Sequence, residues 1–153
     1  MSQTGMTAED RLDIFDLFAR YAWAYDCSDA AAYAETFAPD GVLAGGQLRV
    51  QGRPAIQEAI KAFFDMRGTS LWQHYNDHLR MQGDDRECTV WSYWAVLEHH
   101  RTDDRYGVGR LGHYFSRCVK LDDRWLFKER AFYAELTEGL PWNNPSLTSG
   151  PPQ

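Results

Sequence analysis

Between residues 8 and 27 apolar side chains recur every three or four positions, at Ile14, Leu17, Phe18, Tyr21, Ala22 and Tyr25, which is the period of a helix with one buried face. Thr7 precedes this run as an N-cap, and Glu9 and Asp10 follow where a helix start favours anions. Ser28 or Asp29 can cap a second, short helix from Ala30 to Phe37, which Pro39 ends. Val42 to Val50, interrupted by Gly45-Gly46, reads as a strand or hairpin. Gly52-Arg53-Pro54 opens a third helix whose stripe is Ile56, Ile60, Phe63 and Phe64, stopping near Gly68.

The period then changes. Residues 71–82, 86–101, 106–121 and 124–135 are rich in aromatic and branched residues, with turn signals between them at Gly83-Asp84-Asp85, Thr102-Asp103-Asp104 and Asp122-Asp123. Four long strands joined by tight turns describe an antiparallel meander, and helices followed by such a sheet describe an α+β fold. Residues 1–7 read as a flexible lead-in, 8–136 as one domain, and the stretch from about Thr137 to Gln153 as a loosely ordered tail.

Composition narrows the partners. A chain of 153 residues, 44% hydrophobic and 14% aromatic, suits one domain with one core. A net charge of −6 argues against a nucleic-acid partner, because a polyanion is repelled. No apolar stretch is long enough to span a bilayer, the basic residues are scattered, and the opening residues lack a signal-peptide pattern. Cys27, Cys88 and Cys118 form neither a disulfide framework nor a zinc pattern. These features together read as a cytoplasmic protein with reduced thiols.

Three segments carry a resemblance. They are Arg20-Tyr21-Ala22-Trp23-Ala24-Tyr25-Asp26 with Phe37-Ala38-Pro39-Asp40-Gly41-Val42 after it; Gln73-His74-Tyr75-Asn76-Asp77; and Gly112-His113-Tyr114-Phe115-Ser116-Arg117 leading to Asp122-Asp123-Arg124-Trp125 and Glu129-Arg130. In this order the chain resembles the SnoaL-like, nuclear-transport-factor-2-like superfamily. Its members include scytalone dehydratase, a bile-acid 7α-dehydratase, hexachlorocyclohexane dehydrochlorinase, polyketide cyclases and small subunits of ring-hydroxylating dioxygenases. The resemblance implies a curved antiparallel sheet wrapped around the N-terminal helices as a cone, with a pocket at the open end.

It also implies a site. Asp26 ends the first helix, where the macrodipole disfavours an anion by about 0.3–1 kcal/mol, so the carboxylate needs a partner. On the residues alone it reads equally as a solvated helix end; the resemblance makes it the group that orients His74. A neutral imidazole can take a proton near neutrality, and a carboxylate on its other nitrogen fixes the tautomer. Tyr21 matches an acid or hydrogen-bonding position in relatives, and reads otherwise as one more aromatic on the helical stripe. Arg130 matches an arginine that stabilises developing negative charge, with Arg110 and Arg117 as weaker candidates. His99 matches a second pocket histidine. Among the aromatics, Trp72, Trp91, Tyr25 and Tyr114 suit a pocket for a flat, ring-bearing ligand.

Strict alternation sets one difficulty. It puts Leu71, Tyr75, Leu79 and Met81 on one face of their strand and Trp72, His74, Asn76 and His78 on the other, and so buries the first set. A cavity position for His74 requires that both faces be covered, or that a bulge shift the register. Two motifs are set aside. His74-xxx-His78 on a strand spans roughly 13 Å, too far to share a metal. Gly107-Val108-Gly109-Arg110-Leu111-Gly112 spells a dinucleotide fingerprint but leads into strand rather than helix, so its glycines serve a bent strand.

The expected activity is a dehydratase-type lyase, or a related isomerase or cyclase, acting on a hydrophobic ring-bearing small molecule. That chemistry needs no metal or organic cofactor. A dioxygenase small subunit and a small-molecule-binding protein are the alternatives on the same fold. The aromatic sheet face predicts a homo-oligomer, a trimer or dimer.

Overall fold

The computed structural model describes residues 5–134. Helix α1 spans Ala8–Asp26. The Thr7 hydroxyl accepts the Asp10 N–H at 3.1 Å and the Asp10 carboxylate accepts the Thr7 N–H at 3.0 Å, a reciprocal capping box. Asp10 itself is buried, and also accepts from Lys120 Nζ and Trp125 Nε1, each at 3.0 Å. Burial alone would raise its pKa; the hydrogen bonds from Thr7, Lys120 and Trp125 outweigh it and hold the carboxyl well below its ordinary 3.8. The start of α1 is thereby tied to the sheet. Its inward stripe is the expected one, with Ile14, Leu17, Phe18, Tyr21 and Tyr25 all buried.

Helix α2 spans Ala30–Glu35 and is capped by Asp29, whose carboxylate accepts the Ala32 N–H at 2.9 Å. Strands β1 (Phe37–Gly45) and β2 (Leu48–Gln51) follow, then helix α3 (Arg53–Arg67), with Ile56 and Ile60 buried. Strands β3 (Leu71–Gly83), β4 (Glu87–His100), β5 (Arg105–Leu121) and β6 (Arg124–Ala134) form the antiparallel meander expected. The six strands lie in the order β2-β1-β6-β5-β4-β3, and β1 joins β6 in parallel. The fold is α+β, with a curved sheet around the N-terminal helices.

Two boundaries differ from the expectation. The helix expected to reach Phe37 stops at Glu35, and the first strand starts at Phe37 rather than Val42. Phe37 is needed in the core, and the Phe127 N–H donates to the Thr36 carbonyl at 2.9 Å, drawing the chain into the sheet there. Pro39 is tolerated because pairing with β6 is interrupted between Phe37 and Val42, so no ladder bond is asked of its nitrogen.

The alternation problem in β3 is resolved by a bulge. Pairing with β4 shifts between Asp77 and Arg80, and His78 takes a left-handed φ of 56°. Before the bulge Trp72, His74 and Asn76 face inward, while Leu71 and Tyr75 are 53% and 54% exposed. After it Leu79 and Met81 pack against the core. The set expected inside is therefore split, with only its second half buried.

The C-terminal tail expected from residue 137 lies outside the described residues, as do residues 1–4. Of the lead-in, Gly5 bridges to Asp84 and Met6 packs against the core. Among the described residues no helix is long and apolar enough to cross a membrane.

Candidate functional site

Asp26 is the last residue of α1, a position with no basic residue in the final turn to offset the dipole. Two donors come instead from β3. The His74 N–H reaches Asp26 Oδ2 at 2.8 Å, and the His74 ring Nδ1 meets Oδ1 at 2.6 Å. An ionised carboxylate only accepts, so Nδ1 is the donor here, and in the neutral imidazole Nε2 is the acceptor. Main chain and ring are thus both held by one carboxylate.

His74 lines a pocket with a cavity volume of about 70 Å³ between the helices and the inner face of the sheet. Tyr21, Tyr25, Tyr33, Trp72, Trp94 and Tyr114 supply most of its wall. That volume is well under the roughly 300–1,000 Å³ of ordinary small-molecule sites. Trp72 stacks nearly parallel to Tyr25, and the Tyr25 ring meets the His74 imidazole edge-on at 4.5 Å. Trp94 lies over Gly112, where a Cβ would stand 2.7 Å from its ring, and its Nε1 donates to the His113 carbonyl at 3.1 Å. The indole can line the pocket only because that glycine has no side chain.

The phenols form a cluster. Tyr33 donates to the Tyr21 hydroxyl at 2.7 Å, and the Tyr21 and Tyr114 rings meet edge to face. Burial pushes the hydroxyls of Tyr33 and Tyr114 well above the usual phenol value, and the neighbouring Tyr21 raises both further. Tyr25 is pushed up to about 12, again chiefly by burial. These groups stay neutral and act as donors rather than bases.

A family model described as a SnoaL-like domain matches residues 6–131. The chain belongs to the SnoaL-like family. Solved structures with the same fold include ActVI-ORFA from Streptomyces coelicolor, which is 20% identical over 87% of this chain and all of that one (100%), with a TM-score of 0.79. A Catenulispora acidiphila protein in complex with S-DNPA is 26% identical over 84% of this chain and 96% of its own, with a TM-score of 0.76. A candidate scytalone dehydratase from Novosphingobium aromaticivorans is 21% identical over 83% and 85%, with a TM-score of 0.71. No curated protein matches the chain.

In this SnoaL-like protein Asp26, His74, Tyr21, Tyr25, Trp72 and Tyr114 come together as expected, Arg110 joins them at the pocket, and Trp91, His99, Arg117 and Arg130 do not line it. Trp91 packs edge-on against Phe115, its cross-strand partner, while its neighbours Val90 and Ser92 are buried on the inner side. It belongs to the outer face. His99 is also on that face, stacked on Tyr106 at 4.0 Å and bonded to Asp104 at 2.8 Å. Both were expected in the pocket, and strand phase excludes them: β4 turns its even positions inward.

Arg130 is corrected in a different way. It is fully buried but does not line the pocket. Its guanidinium lies between the rings of Tyr114, Tyr21, Phe18 and Phe127, at 3.7 to 4.5 Å from their centroids. It donates to Ser116 Oγ at 2.8 Å and to Asn76 Oδ1 at 3.2 Å, with no carboxylate in ion-pair reach among the described residues. The cation stands behind the phenols, held by ring faces rather than by an anion. Arg117 is exposed on the outer side, whereas Arg110 lines the pocket in phase with Tyr114. Tyr33 was missed as a wall residue; it lies within a short alanine-rich helix that offered no pattern beyond burial.

Proposed function

We propose that this SnoaL-like protein is a cofactor-independent enzyme of the dehydratase type, or a related isomerase or cyclase, acting on a hydrophobic ring-bearing small molecule. The observation that carries the reading is the 2.6 Å contact between His74 Nδ1 and Asp26 Oδ1 at the wall of an aromatic pocket. With Nδ1 committed, Nε2 abstracts a proton from a carbon next to a carbonyl, and Asp26 stabilises the imidazolium that forms. Tyr21 accepts from Tyr33 and shares a hydrogen bond with Tyr114, and it turns its own proton to the oxyanion that develops on the carbonyl oxygen. In an elimination the oxyanion collapses, the β-hydroxyl departs, and the imidazolium returns its proton to that oxygen as water. Arg130 supports the phenols electrostatically from behind.

Homo-oligomerisation belongs to the same reading. Tyr93, Leu97, Leu111 and Tyr133 leave an apolar outer sheet face exposed, and a second copy of the chain is the proposed cover. Sedimentation velocity checks it, with a monomer at micromolar concentration the contrary result.

The test of activity is a screen of ring-bearing β-hydroxy ketones, with product and solvent-deuterium exchange followed by NMR, against a His74→Ala control. Exchange or turnover lost in the control supports the reading. Binding without exchange in the wild type overturns it in favour of a binding protein, and co-purification with a larger iron-containing chain favours the subunit role.

A further inference from the structure

The mouth of the pocket carries more hydrogen-bond donors than acceptors. Trp72 stands between two guanidinium groups, with Arg67 Cζ at 5.9 Å and Arg110 Cζ at 5.8 Å from its ring centroid. The Trp72 Nε1–H and the Arg67 Nε–H are both buried and both without an acceptor. Arg67 spends its other nitrogens on the Tyr25 carbonyl and the Ser28 hydroxyl. Arg110 lines the pocket and makes no ion pair with any described residue.

The acidic groups nearby are already engaged. Asp26 gives both oxygens to His74. Glu98, paired across the strands with Trp72, lies over the bare Cα of Gly109 and meets His100 at 3.3 Å. Gly109 is the extra residue of the β4–β5 irregularity, between Val108 opposite Leu97 and Arg110 opposite Val96. The bulge leaves room for the Glu98 carboxylate over Gly109, where it meets His100, and sets Arg110 in the inward phase. In a protein with a net charge of −6, the entrance of the pocket is left with unpaired positive charge.

We propose that this mouth is an anion subsite, in which the Arg110 guanidinium receives the carboxylate of a ring-bearing acid while the rings behind it hold the hydrocarbon. This rests on the pocket being the substrate site and not on proton abstraction occurring there. A planar guanidinium presents paired donors that match a carboxylate, and charge-assisted bonds exceed neutral ones. The subsite fixes which end of the ligand enters first, with the acid at the mouth and the ring system toward the phenols.

Two isosteric probes test it, naphthalene-2-carboxylate and naphthalene-2-carboxamide. Each is titrated by calorimetry into the wild-type chain, Arg110→Gln, Arg110→Lys and His74→Ala. The carboxylate is expected to bind the wild type roughly tenfold or more tightly than the amide. That preference is expected to vanish in Arg110→Gln, return in part in Arg110→Lys, and survive in His74→Ala. Arg110 is exposed along its strand, so its replacement leaves the core intact. Equal affinities in the wild type, binding of neither probe, or a preference that persists in Arg110→Gln overturns the subsite. A preference lost in His74→Ala also overturns it, by assigning the attraction to the imidazolium. A preference that holds while the proton-abstraction screen fails leaves an acid-binding pocket without the proposed chemistry.

Discussion

His74 meets Asp26 at 2.6 Å and His99 meets Asp104 at 2.8 Å, so by distance the protein has two equivalent histidine–aspartate pairs. Their surroundings differ. The side chains of the first pair are 8% and 18% exposed, those of the second 22% and 85%. Asp26 is held by a helix end on one side and a strand on the other, and uses both oxygens. Asp104 sits in the β4–β5 turn with a left-handed φ of 53°, and its carboxylate is bathed in water. An exposed pair of this kind is worth roughly 0–1 kcal/mol, because solvent screens it and side-chain entropy opposes it. The pair at the pocket wall is positioned before any ligand arrives, which is what acid–base chemistry requires. A short histidine–carboxylate distance is therefore not by itself a site; burial, a second anchor and a place in the pocket wall set the first pair apart.

The comparison can be broken most directly by activity. Once a substrate is identified, His74→Ala is expected to lower kcat/KM by about 10²–10⁴-fold, the usual worth of a general base, while His99→Ala leaves it unchanged. Similar losses in the two variants would erase the distinction. Asp26→Asn keeps an acceptor for the ring but removes the charge that stabilises the imidazolium, so its loss should fall mainly on kcat rather than KM.

Arg130 sharpens the same point for a lone charge. Arg130→Ala removes a large, fully enclosed side chain and is expected to cost roughly 2–5 kcal/mol in a denaturant melt. Arg130→Met fills much of the space without a charge, and should recover most of that loss. A methionine variant as unstable as the alanine one would show that the guanidinium's contacts to Ser116 and Asn76, rather than its volume, hold the core.

Asp10 is a buried carboxylate with several donors and no catalytic task. Its folded pKa lies below the unfolded 3.8, so its stabilisation is complete above pH 4 and is lost as the pH falls toward the depressed value. Thermal melts from pH 6 to pH 2 should show a shallower acid limb in Asp10→Asn than in the wild type. At neutral pH that variant is expected to lose about 0.5–2 kcal/mol with its cap. The smallest effect is expected at the exposed pair, where Asp104→Asn should shift stability by less than about 0.5 kcal/mol.

Much of this was legible in the residues. The helical stripe from Ile14 to Tyr25, the Pro54 start of α3 and the acidic turns between strands each follow from local chemistry that tertiary packing left in place. The pairing of Asp26 with His74 was legible through family resemblance, and through the poor fit of an anion at a helix C-terminus. The face on which each aromatic lands was less so. Period-two alternation in β4 sorts Trp91, Tyr93 and His99 from Val90, Ser92 and Trp94, but each set carries a tryptophan, so alternation cannot say which one the helices cover. The parallel pairing of β1 with β6 depends on contacts across about 90 residues of chain, from Phe37 to Phe127, and no local pattern encodes it. The burial of Arg130 had no local signal either, since an isolated arginine on a strand is ordinarily solvated.

The irregularity at His78 gives β3 a joint, and the joint separates two evolutionary tasks. Residues 71–77 are in step with the pocket, while residues 79–82 are in step with the foundation of the domain. Substitutions upstream can retune what the protein admits without disturbing the packing of Leu79 and Met81, and losses downstream can be repaired without touching the dyad. Regular pairing across the joint with no residue removed would put one segment out of phase, turning outward either the pocket side chains or Leu79 and Met81. Adaptability in the pocket and fragility at one position come from the same residue.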